Sequence, residues 1–585
     1  MRRTKILATI GPASDNVETM IKMINAGMDG ARVNFSHATH DTALITINNI
    51  KEARDATKKP VTILLDTKGP EIRTKTLNAD KVYLEQGNEF VLTTRDVVGD
   101  QNIVSVTYEN LPKDLSVGNR VLIDDGLIEL KVTALTKTDI KCVLINSGFL
   151  GSKKGINLPD TNLNLPSLTE QDVSDIIFGV EHGVDWVAAS FIRTANDVVN
   201  IRKVLDANGG KHVQIMAKIE NRDGVKNIDS ILTVVDAIMV ARGDLGVEIP
   251  PEDVPIVQKS LIKKCIMSGK PVVTATHMLE SMVSNPRPTR AEANDVANAI
   301  FDGTDVVMLS GETAKGQWPI EAINMMARIA VRAEGEVDYK SEYSSRKSNL
   351  NRNTTNAISY AAMEIADELK ASCIVPITDS GFAARMVSRS RPNCPIVAVT
   401  QDAHVCRQLN LSWGILPTLV ETAFRGDSEI FDLAEQMALQ SGLAKNGEII
   451  VALAGVPVGI AGTTNTIRVR TVGNVLATGK GNKLGTAKGI TRVFHVGDHE
   501  ERSFFEEGDI IIATQTDDTM MEYIKKAGAM VIGTWENVDS THAETVAKAL
   551  DIPLLKVDVR IVDFVLNGMP VTVDTNKGLL LNGYK

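Results

Sequence analysis

The sequence predicts an α/β protein built around a (β/α)8 barrel, and three observations support this prediction. Eight short apolar runs recur in the first part of the chain, separated by helix-like segments such as 16–26, 172–182 and 255–267. Each run ends in small, hydroxyl or charged residues, as the strands of a parallel barrel do at its catalytic mouth. No G-x-G-x-x-G follows the first run, which disfavours the alternative, an open doubly wound sheet. The predicted strands are 5–10, 30–33, 61–65, 184–189, 213–217, 237–241, 271–275 and 305–309.

The stretch 213–248 contains two consecutive strand-and-tip units of this kind. Its first apolar run is followed by Lys218 and Glu220, and its second by Arg242 and Asp244. Because parallel barrel strands end at one opening, these groups are expected to lie close together. Two carboxylates without a histidine suit Mg²⁺, and a lysine beside the metal can stabilise a developing negative charge. An ion-paired rim formed by Lys218 and Glu220 is the structural alternative.

One unit departs from the repeat because no helix follows the third strand. Instead, residues 72–165 read as short alternating strands with turn signals between them, which predicts a small all-β insertion. The insertion leaves and returns at Pro70 and Pro166, an arrangement that suits a hinged cap over the barrel mouth. A passive surface decoration is the alternative. Its predicted strands are 81–84, 89–93, 120–123, 128–133 and 139–145.

The rest of the chain predicts two further domains. A linker rich in Ser, Asn, Arg and Lys at 339–353 precedes an α/β domain. After that domain, a Gly/Lys-rich connector at 477–489 leads to a last β-rich unit. The predicted strands of the α/β domain are 373–377, 395–399, 449–454 and 466–471. The predicted domains are the barrel at 1–70 and 167–345, the cap at 71–166, the α/β domain at 346–474 and the extra domain at 475–585.

The composition excludes several classes of function. With 43% apolar and 23% charged residues, the 585-residue chain is typical of a soluble multidomain protein. A net charge of −10 disfavours nucleic acid as a partner. The five cysteines form no C-x-x-C pair, which favours reduced thiols and a cytoplasmic location. No apolar run is long enough to cross a membrane, and the N-terminus lacks a signal-peptide pattern.

Oxygen-bearing side chains follow the second and third predicted strands. They belong to Asn34, Ser36, Asp66 and Thr67, a set without histidine or thiolate that suits an alkali or alkaline-earth ion. Arg32 and Arg73 are expected at the same opening, where guanidinium groups suit phosphate. Phosphate, a divalent metal and a lysine together indicate phosphoryl transfer or enolate chemistry on a phosphorylated acid. Neither a Walker A sequence nor a kinase-type glycine loop is present, so those kinase classes do not fit.

The strand-end segments resemble one known family across residues 1 to about 475. The segments are TKILATIGPAS, ARVNFSH, LLDTKGPEIRT, KIEN, MVARGDLGVE, TATHMLESM, RAEANDVANAI and DGTDVVMLSGETAKG. They resemble the signature segments of pyruvate kinase in the same order. The closing segment is similar to the extra phosphohistidine-type domain, a β/α swivelling domain, found in the pyruvate kinases of some Gram-positive bacteria. The resemblance implies a TIM barrel, a β-barrel cap and a three-layer α/β domain.

The resemblance also implies the reaction and the residues that carry it. Phosphoenolpyruvate and ADP would give pyruvate and ATP, with catalytic roles for Lys218, Thr276 and Arg73. Substrate binding would fall to Arg32, Lys218, Ala241, Gly243, Asp244 and Thr276, and nucleotide binding to Arg73, His37 and Lys154. Mg²⁺ or Mn²⁺ is expected on Glu220 and Asp244, and K⁺ on Asn34, Ser36, Asp66 and the Thr67 carbonyl. Glu71 matches the acidic form of a position that is lysine in potassium-independent relatives.

Protonation of the enolate needs a donor above the substrate, and Thr276 with a water chain is the candidate. Its alternative role is an N-cap for a helix at 278–282. His277 stands where the family usually has glutamine, and an imidazole there can titrate near neutral pH.

The resemblance further implies an effector loop and a homotetramer. The loop contains Thr378, Ser380 and Gly381, and hydroxyls with helix-start amides bind phosphate well. Ala383 stands where the family has serine or threonine, so fructose bisphosphate is expected to activate weakly or not at all, although a phosphate or monophosphate can still occupy the loop. His542 follows Ser540 and Thr541 as in a phosphorylatable motif, but the two preceding glycines are missing, which favours a structural or oligomer-contact role.

Two other functions remain open at the level of sequence. A metal-dependent aldolase or lyase on the same barrel would also use Mg²⁺ and an arginine, although carbon–carbon chemistry has no need of a cap and of Lys154 as a nucleotide clamp. A non-catalytic binder of a phosphorylated ligand has no need of Lys218, Glu220, Asp244 and Thr276 together.

Overall fold

The computed structural model describes the chain except residues 160, 162, 340–352, 422–426, 456–463, 474, 496–503, 535–539 and 585. The described residues fall into two compact units. The first lies within Met1–Tyr360 and Thr378–Ala423, and the second within Ala361–Ile377, Phe424–Val458 and Thr464–Lys585. In the described part of the chain, no helix combines the length and the apolar character that a bilayer crossing requires.

The first unit contains a closed barrel of eight parallel strands, which confirms the predicted fold class. The strands are β1 Lys5–Thr9, β2 Gly30–Asn34, β3 Thr62–Asp66, β12 Trp186–Ala189, β13 Gln214–Ile219, β14 Ala237–Ala241, β15 Val272–Ala275 and β16 Val306–Leu309. Their order around the barrel is β1-β16-β15-β14-β13-β12-β3-β2. Strand β13 extends two residues beyond the predicted 213–217, so that Lys218 lies inside the strand rather than after it.

The strands are almost continuously apolar because each is covered on both faces, as parallel barrel strands are. Leu7, Leu64, Trp186, Met216 and Met239 fill the barrel interior, and a larger apolar layer packs between strands and helices. Four of the helices begin with a capping box, formed by Thr39, Thr169, Thr194 and Thr289. The barrel helices are Val17–Ala26, His40–Thr57, Glu170–Glu181, Ala195–Ala207, Arg222–Lys226, Ile228–Val234, Arg242–Glu248, Val254–Ser268, Arg290–Phe301, Gly311–Ala314 and Pro319–Glu334, with 3-10 turns at Pro251–Asp253 and Glu280–Val283.

The insertion after β3 is all-β apart from one short helix, Leu111–Asp114, and has its own apolar core. Its strands are β4 Lys81–Leu84, β5 Glu89–Thr93, β6 Ile103–Ser105, β7 Arg120–Ile123, β8 Ile128–Leu135, β9 Asp139–Leu144, β10 Gly148–Gly151 and β11 Ile156–Asn157. They form a six-stranded sheet, β11-β7-β8-β9-β5-β6, and a β10-β4 pair. The sequence missed β6, β10 and β11 because two to four residues are too few to show alternation.

The predicted α/β domain has strands in both units. In the first unit, β18 Ile396–Thr400 and β19 Ile415–Leu419 pair in parallel beside the helices Phe382–Arg389 and Ala403–Leu409. In the second unit, β20 Ile449–Gly455 pairs with β17 Cys373–Pro376 and with β21 Thr464–Thr471. Helices Thr354–Glu368 and Asp427–Gln440 complete the set. Most of the predicted linker at 339–353 lies outside the described residues.

The end of the second unit is a closed barrel of seven strands, and here the predicted connector at 477–489 is wrong. Its residues belong to β22 Val475–Gly481 and β23 Thr486–Phe494. The glycines that suggested a loop allow close backbone approach instead, because a Cβ on Gly479 or Gly481 would lie 1.8 Å or 2.0 Å from a neighbouring carbonyl oxygen. The remaining strands are β24 Ile510–Ala513, β25 Ala529–Thr534, β26 Leu554–Asp558, β27 Pro570–Asp574 and β28 Leu579–Asn582, with helices Met521–Ile524, Thr541–Leu550 and Ile561–Phe564 and a 3-10 turn at Asp518–Met520.

His542 lies in the first turn of helix Thr541–Leu550. Its Nδ1 is 2.9 Å from Thr516 Oγ1, and its Nε2 is 3.3 Å from Asp518 Oδ1. Both ring nitrogens therefore have neighbours within this barrel, in keeping with the structural role that the sequence favours.

Candidate active site

Lys218 stands at the centre of the polar groups in the barrel mouth. Its Nζ lies 2.8 Å from Ser190 Oγ, 2.9 Å from Glu220 Oε1 and 3.2 Å from Asp66 Oδ1. The ion pair between Lys218 and Glu220 that the structural alternative named is present, and the side chains of Glu220 and Asp66 are each 1% exposed. Burial disfavours the ammonium, but the charges of Asp66 and Glu220 outweigh it and raise the pKa of Lys218. The mouth therefore holds a permanent positive charge.

Asp66 joins this lysine to Arg32 on the neighbouring strand. Arg32 Nε donates to Asp66 Oδ2 at 2.6 Å, and its Nη1 donates to Thr9 Oγ1 at 3.0 Å. Burial alone would raise the pKa of Asp66, but the charges of Lys218 and Arg32 lower it. Asp66 is therefore ionised. Its bonds fix the positions of Lys218 and Arg32, which the sequence predicted only to lie near each other.

Glu220 and Asp244 are carboxylates in surroundings that disfavour their charge. Burial, with the nearby charge of Asp244, raises the pKa of Glu220 to about 7, although Lys218 opposes the shift. Burial also raises the pKa of Asp244, to which Asp125 of the cap adds. Phe191 N donates to Glu220 Oε2 at 2.6 Å and fixes that carboxylate. A buried carboxylate and a half-buried one that interact electrostatically are a donor set that fits a divalent cation.

Thr276 follows β15 in the left-handed region, with φ +66, and His277 follows with φ +55. Thr276 Oγ1 accepts from Gly243 N at 2.8 Å and donates to the Ala275 carbonyl at 2.6 Å. The predicted alternative, a helix cap, is wrong: the next turn is Glu280–Val283, and Leu279 stands at its start. A β-branched residue with positive φ is a strained conformation that clusters at functional sites.

Arg242 holds this strained turn in place. Its Nη2 donates to the Thr276 carbonyl at 2.6 Å and its Nε to the Ala275 carbonyl at 3.2 Å. Asp295, on helix Arg290–Phe301, accepts from Arg242 Nη1 at 2.7 Å. The arginine therefore satisfies two carbonyls at the point where the backbone leaves its ordinary conformation.

The four residues predicted to bind potassium lie at adjacent strand ends. Asn34 is the register partner of Asp66 in the pairing of β2 with β3. Asn34 Oδ1 accepts from Ser36 N at 3.2 Å, and the Thr67 carbonyl accepts from Ser190 Oγ at 2.6 Å. Carboxylate and carbonyl oxygens have further lone pairs, so these bonds leave room for a cation.

The residues predicted to bind the nucleotide do not form one cluster in the structure. Arg73 forms a two-bond pair with Glu71, with both distances 2.7 Å, and donates to the Lys153 carbonyl at 2.8 Å. Lys154 Nζ pairs with Asp124 Oδ1 at 2.9 Å. These two cations keep 39% and 37% of their side chains exposed and so remain accessible. His37 is exposed on the loop after β2, and no described contact joins it to either.

A cavity of about 280 Å³ lies between the cap and the barrel mouth. Asp244, Phe191 and Glu248 line it from the barrel, and Ile156 and Asp125 line it from the cap. Asn157 of the cap donates to Glu248 Oε1 at 3.0 Å across this space. The cavity places an enclosed volume of small-molecule size beside the two carboxylates.

Sequence reasoning missed three groups of this site. Ser190 contacts Lys218 and the Thr67 carbonyl, and Phe191 bonds Glu220, yet the sequence marked the pair only as a strand end. Arg242 was marked as a strand-end charge, without its partner Asp295. The signal for Ser190 was available, since polar residues after the second, third, fifth, sixth and seventh barrel strands all received a role.

The predicted effector loop joins β17 to helix Phe382–Arg389. Thr378 Oγ1 accepts from Gly381 N at 3.0 Å, and Ser380 Oγ accepts from Phe382 N at 3.4 Å. Gly381 has φ +76, which favours glycine at this position. Ala383 is buried at the start of the helix. The backbone amides of Gly381 and Phe382 therefore already have hydroxyl acceptors within the loop.

A closed parallel barrel whose mouth joins a buried lysine, two arginines and three carboxylates defines a phosphotransferase of the TIM-barrel class. The family model described as pyruvate kinase, barrel domain, matches residues 1–323, and that described as pyruvate kinase, alpha/beta domain, matches residues 356–470. The chain belongs to the pyruvate kinase family, and its function is that of a pyruvate kinase.

Full-length relatives and a solved structure agree with this assignment. The chain is 46% identical to a pyruvate kinase of Geobacillus stearothermophilus over 585 residues, covering 100% of this chain and 99% of the relative. It is 44% identical to that of Sporosarcina psychrophila, with the same coverage. The crystal structure of a pyruvate kinase from Cryptosporidium parvum superposes with a TM-score of 0.77 and 39% identity, covering 80% of this chain and 96% of that one.

Proposed function

We propose that the barrel mouth transfers the phosphoryl group of phosphoenolpyruvate to ADP, giving pyruvate and ATP, and that the residues around Lys218 carry this step. The observation that supports the assignment most directly is the contact of Lys218 Nζ with Asp66, Glu220 and Ser190. A coupled assay of ATP formation from ADP and phosphoenolpyruvate tests it. Pyruvate release without ATP formation would contradict it.

In the phosphoryl step the protein positions charge more than it makes bonds. Lys218 is fixed where negative charge develops on the transferring group and on the enolate oxygen. Arg32, held by Asp66, addresses the phosphate from the neighbouring strand. Glu220 and Asp244 would hold Mg²⁺ or Mn²⁺, which supplies Lewis-acid charge to the substrate oxygens when bound. The backbone of Ala241 and Gly243 would orient the substrate carboxylate.

In the proton step a donor must reach the enolate carbon. Thr276 is the candidate, because its hydroxyl is fixed beside Gly243 and so beside the proposed carboxylate site. The hydroxyl proton points to the Ala275 carbonyl here and would have to turn toward the substrate or a water.

Arg73, His37 and Lys154 would contact ADP. Arg73 and Lys154 are partly exposed cations, each paired with one carboxylate, so phosphate oxygens can compete for them. We also propose a homotetramer and a cytoplasmic location on the strength of the family, and the five cysteines are free thiols.

Activity is expected to require K⁺, held by Asn34, Ser36, Asp66 and the Thr67 carbonyl. Glu71→Lys is expected to reduce this requirement, because a tethered ammonium would replace the ion's charge. The substitution also removes the partner of Arg73, so some loss of ADP affinity should accompany it. The measurement is the initial rate against K⁺ concentration, with tetramethylammonium holding ionic strength constant.

Glu71→Gln is the matched control for this prediction. It also removes the charge that pairs with Arg73 but adds no ammonium, so its activity is expected to stay dependent on K⁺. Full activity of the parent protein without K⁺ or ammonium would contradict the assignment of this site.

Fructose 1,6-bisphosphate is expected to activate weakly or not at all. Ala383 lacks the hydroxyl that the family supplies, and the amides of Gly381 and Phe382 already bond Thr378 and Ser380. A lost hydrogen bond to a charged group corresponds to about ten- to a hundredfold in affinity. The measurement is the phosphoenolpyruvate saturation curve with and without the effector, repeated in Ala383→Thr. A strong leftward shift in the parent protein would show that the missing hydroxyl is unimportant.

The enolate-stabilising groups alone would also serve a metal-dependent aldolase or lyase, the alternative that the sequence left open, but the match to pyruvate kinases along the chain decides against it. The ATP assay separates the two reactions, because carbon–carbon cleavage forms no ATP. A non-catalytic binder would show phosphoenolpyruvate binding without turnover.

A further inference from the structure

A small recess lies at the amino ends of the barrel strands, away from the mouth. It is bordered by the residues after helix Val254–Ser268, by Asp305 before β16, and by helix Phe382–Arg389. Its enclosed part is about 10 Å³, which is room for one water-sized group. The residues that line it are Ile266, Gly269, Lys270, Pro271, Asp305, Arg385, Ser388, Arg389, Arg391 and Ser412.

Positive charge dominates this lining. Four of the ten residues are Lys270, Arg385, Arg389 and Arg391, against one carboxylate, Asp305. Asp305 is already bonded to Arg391 at 3.1 Å, and both of these side chains are buried. The one lining acid is therefore matched by one of the four cations.

Two of the other three cations, Lys270 and Arg385, donate to neutral backbone carbonyls. Lys270 Nζ donates to the Leu232 and Val235 carbonyls, and Arg385 Nη2 donates to the Ser380 carbonyl at 3.1 Å. Burial lowers the pKa of both Lys270 and Arg385, and the charge of Asp236 offsets this only in part. Their positive charge is thus only partly compensated by the protein.

Ser412 gives an independent indication of a ligand. It is 2% exposed and lines the recess, and its Oγ has no hydrogen-bond partner among the residues that the structure describes. A buried hydroxyl without a partner is costly, so such a group in a native protein requires an explanation. An acceptor atom in the recess would provide the missing partner.

We propose that this recess binds a small anion, with one of its atoms seated between Lys270, Arg385 and the Ser412 hydroxyl. One oxygen of a phosphate matches this water-sized space and a chloride ion is slightly larger than it; both offer the required chemistry, a compact negative acceptor. The site is separate from the catalytic mouth, which opens at the carboxyl ends of the strands. Because Arg385 also bonds Ser380, an anion here would brace the helix that follows the effector loop.

Ser412→Ala in the full-length protein tests this through the sign of its effect on Tm. In a zwitterionic buffer without added salt, removal of an unpartnered hydroxyl is expected to leave Tm unchanged or higher. With phosphate or chloride added, the variant is expected to melt below the parent protein, because it loses a bond to the bound anion. Ligand linkage makes this difference grow with anion concentration and then saturate.

Ser359→Ala is the matched control, because Ser359 is also buried without a partner among the described residues but lies outside the recess. Its Tm relative to the parent is expected not to depend on the anion. An anion that binds elsewhere raises Tm equally in the parent protein and in both variants, so its effect cancels in the comparison. If the Tm of Ser412→Ala relative to the parent protein changes with the anion no more than that of Ser359→Ala does, the proposal is overturned.

Arg385→Gln and direct observation complete the test. Loss of this cation is expected to raise the half-saturating anion concentration about ten- to a hundredfold. Crystals soaked in bromide are expected to show an anomalous peak in the recess, and those in phosphate a tetrahedral density with one oxygen inside. A peak with bromide only identifies a halide site, and density with phosphate identifies an oxyanion site. Water alone under both conditions would overturn the proposal.

Discussion

Lys218→Met is expected to lower kcat for ATP formation by at least about 10²–10³, the usual loss when one preorganised electrostatic donor is removed. The lysine contacts Asp66, Glu220 and Ser190, and its side chain is only 12% exposed, so water cannot replace it freely. Methionine keeps the length of the side chain but not its charge. The measurement is steady-state ATP formation at saturating phosphoenolpyruvate, ADP and metal.

The same substitution has a second expected effect that separates chemistry from folding. Without Lys218, the buried Asp66 retains Arg32 but Glu220 has no cation beside it, and an unpaired buried charge is strongly destabilising. Tm is therefore expected to fall, and Mg²⁺ is expected to restore part of it. Lys22→Met, at an exposed lysine whose ion pair in the described structure is with Glu18, is the control and should change neither rate nor Tm appreciably. Near-normal turnover of Lys218→Met would overturn the assignment.

The barrel was predictable because each of its strands is a short apolar run with a polar tip. Strand β14 has the predicted bounds, 237–241, and the others differ by a residue or two at their ends. The error at 477–489 has the opposite cause. There the glycines serve close contact between strands, and composition alone cannot separate this use from a flexible connector.

The sequence predicted which residues form the site, but not the hydrogen bonds and ion pairs between them. Strand-end logic placed Lys218, Glu220 and Asp66 at one opening, and the structure confirms that they meet. Strand-end logic could not predict the positive φ of Thr276, because that conformation is held by tertiary hydrogen bonds from Arg242. Nor could it give Asp295, which reaches Arg242 from a helix 53 residues later in the chain.

Thr276→Ala is expected to slow the exchange of pyruvate methyl protons with solvent by about 10²–10⁴, the range for one general acid–base group. The bond from Gly243 N fixes the Thr276 hydroxyl beside the proposed carboxylate site. Alanine is tolerated better than a β-branched residue at φ +66, so the fold is expected to survive. The measurement is loss of the methyl signal of pyruvate in deuterated buffer with saturating Mg²⁺ and K⁺.

Two controls decide whether the hydroxyl acts on the proton or only supports the turn. Thr276→Ser keeps the hydroxyl and is expected to exchange protons at nearly the parent rate. Affinity for Mg²⁺ is expected to be the same in all three proteins, since Glu220 and Asp244 are untouched. If Thr276→Ala exchanges as fast as the parent protein, the bond from Gly243 N to Thr276 Oγ1 serves the backbone alone, and another group must protonate the enolate.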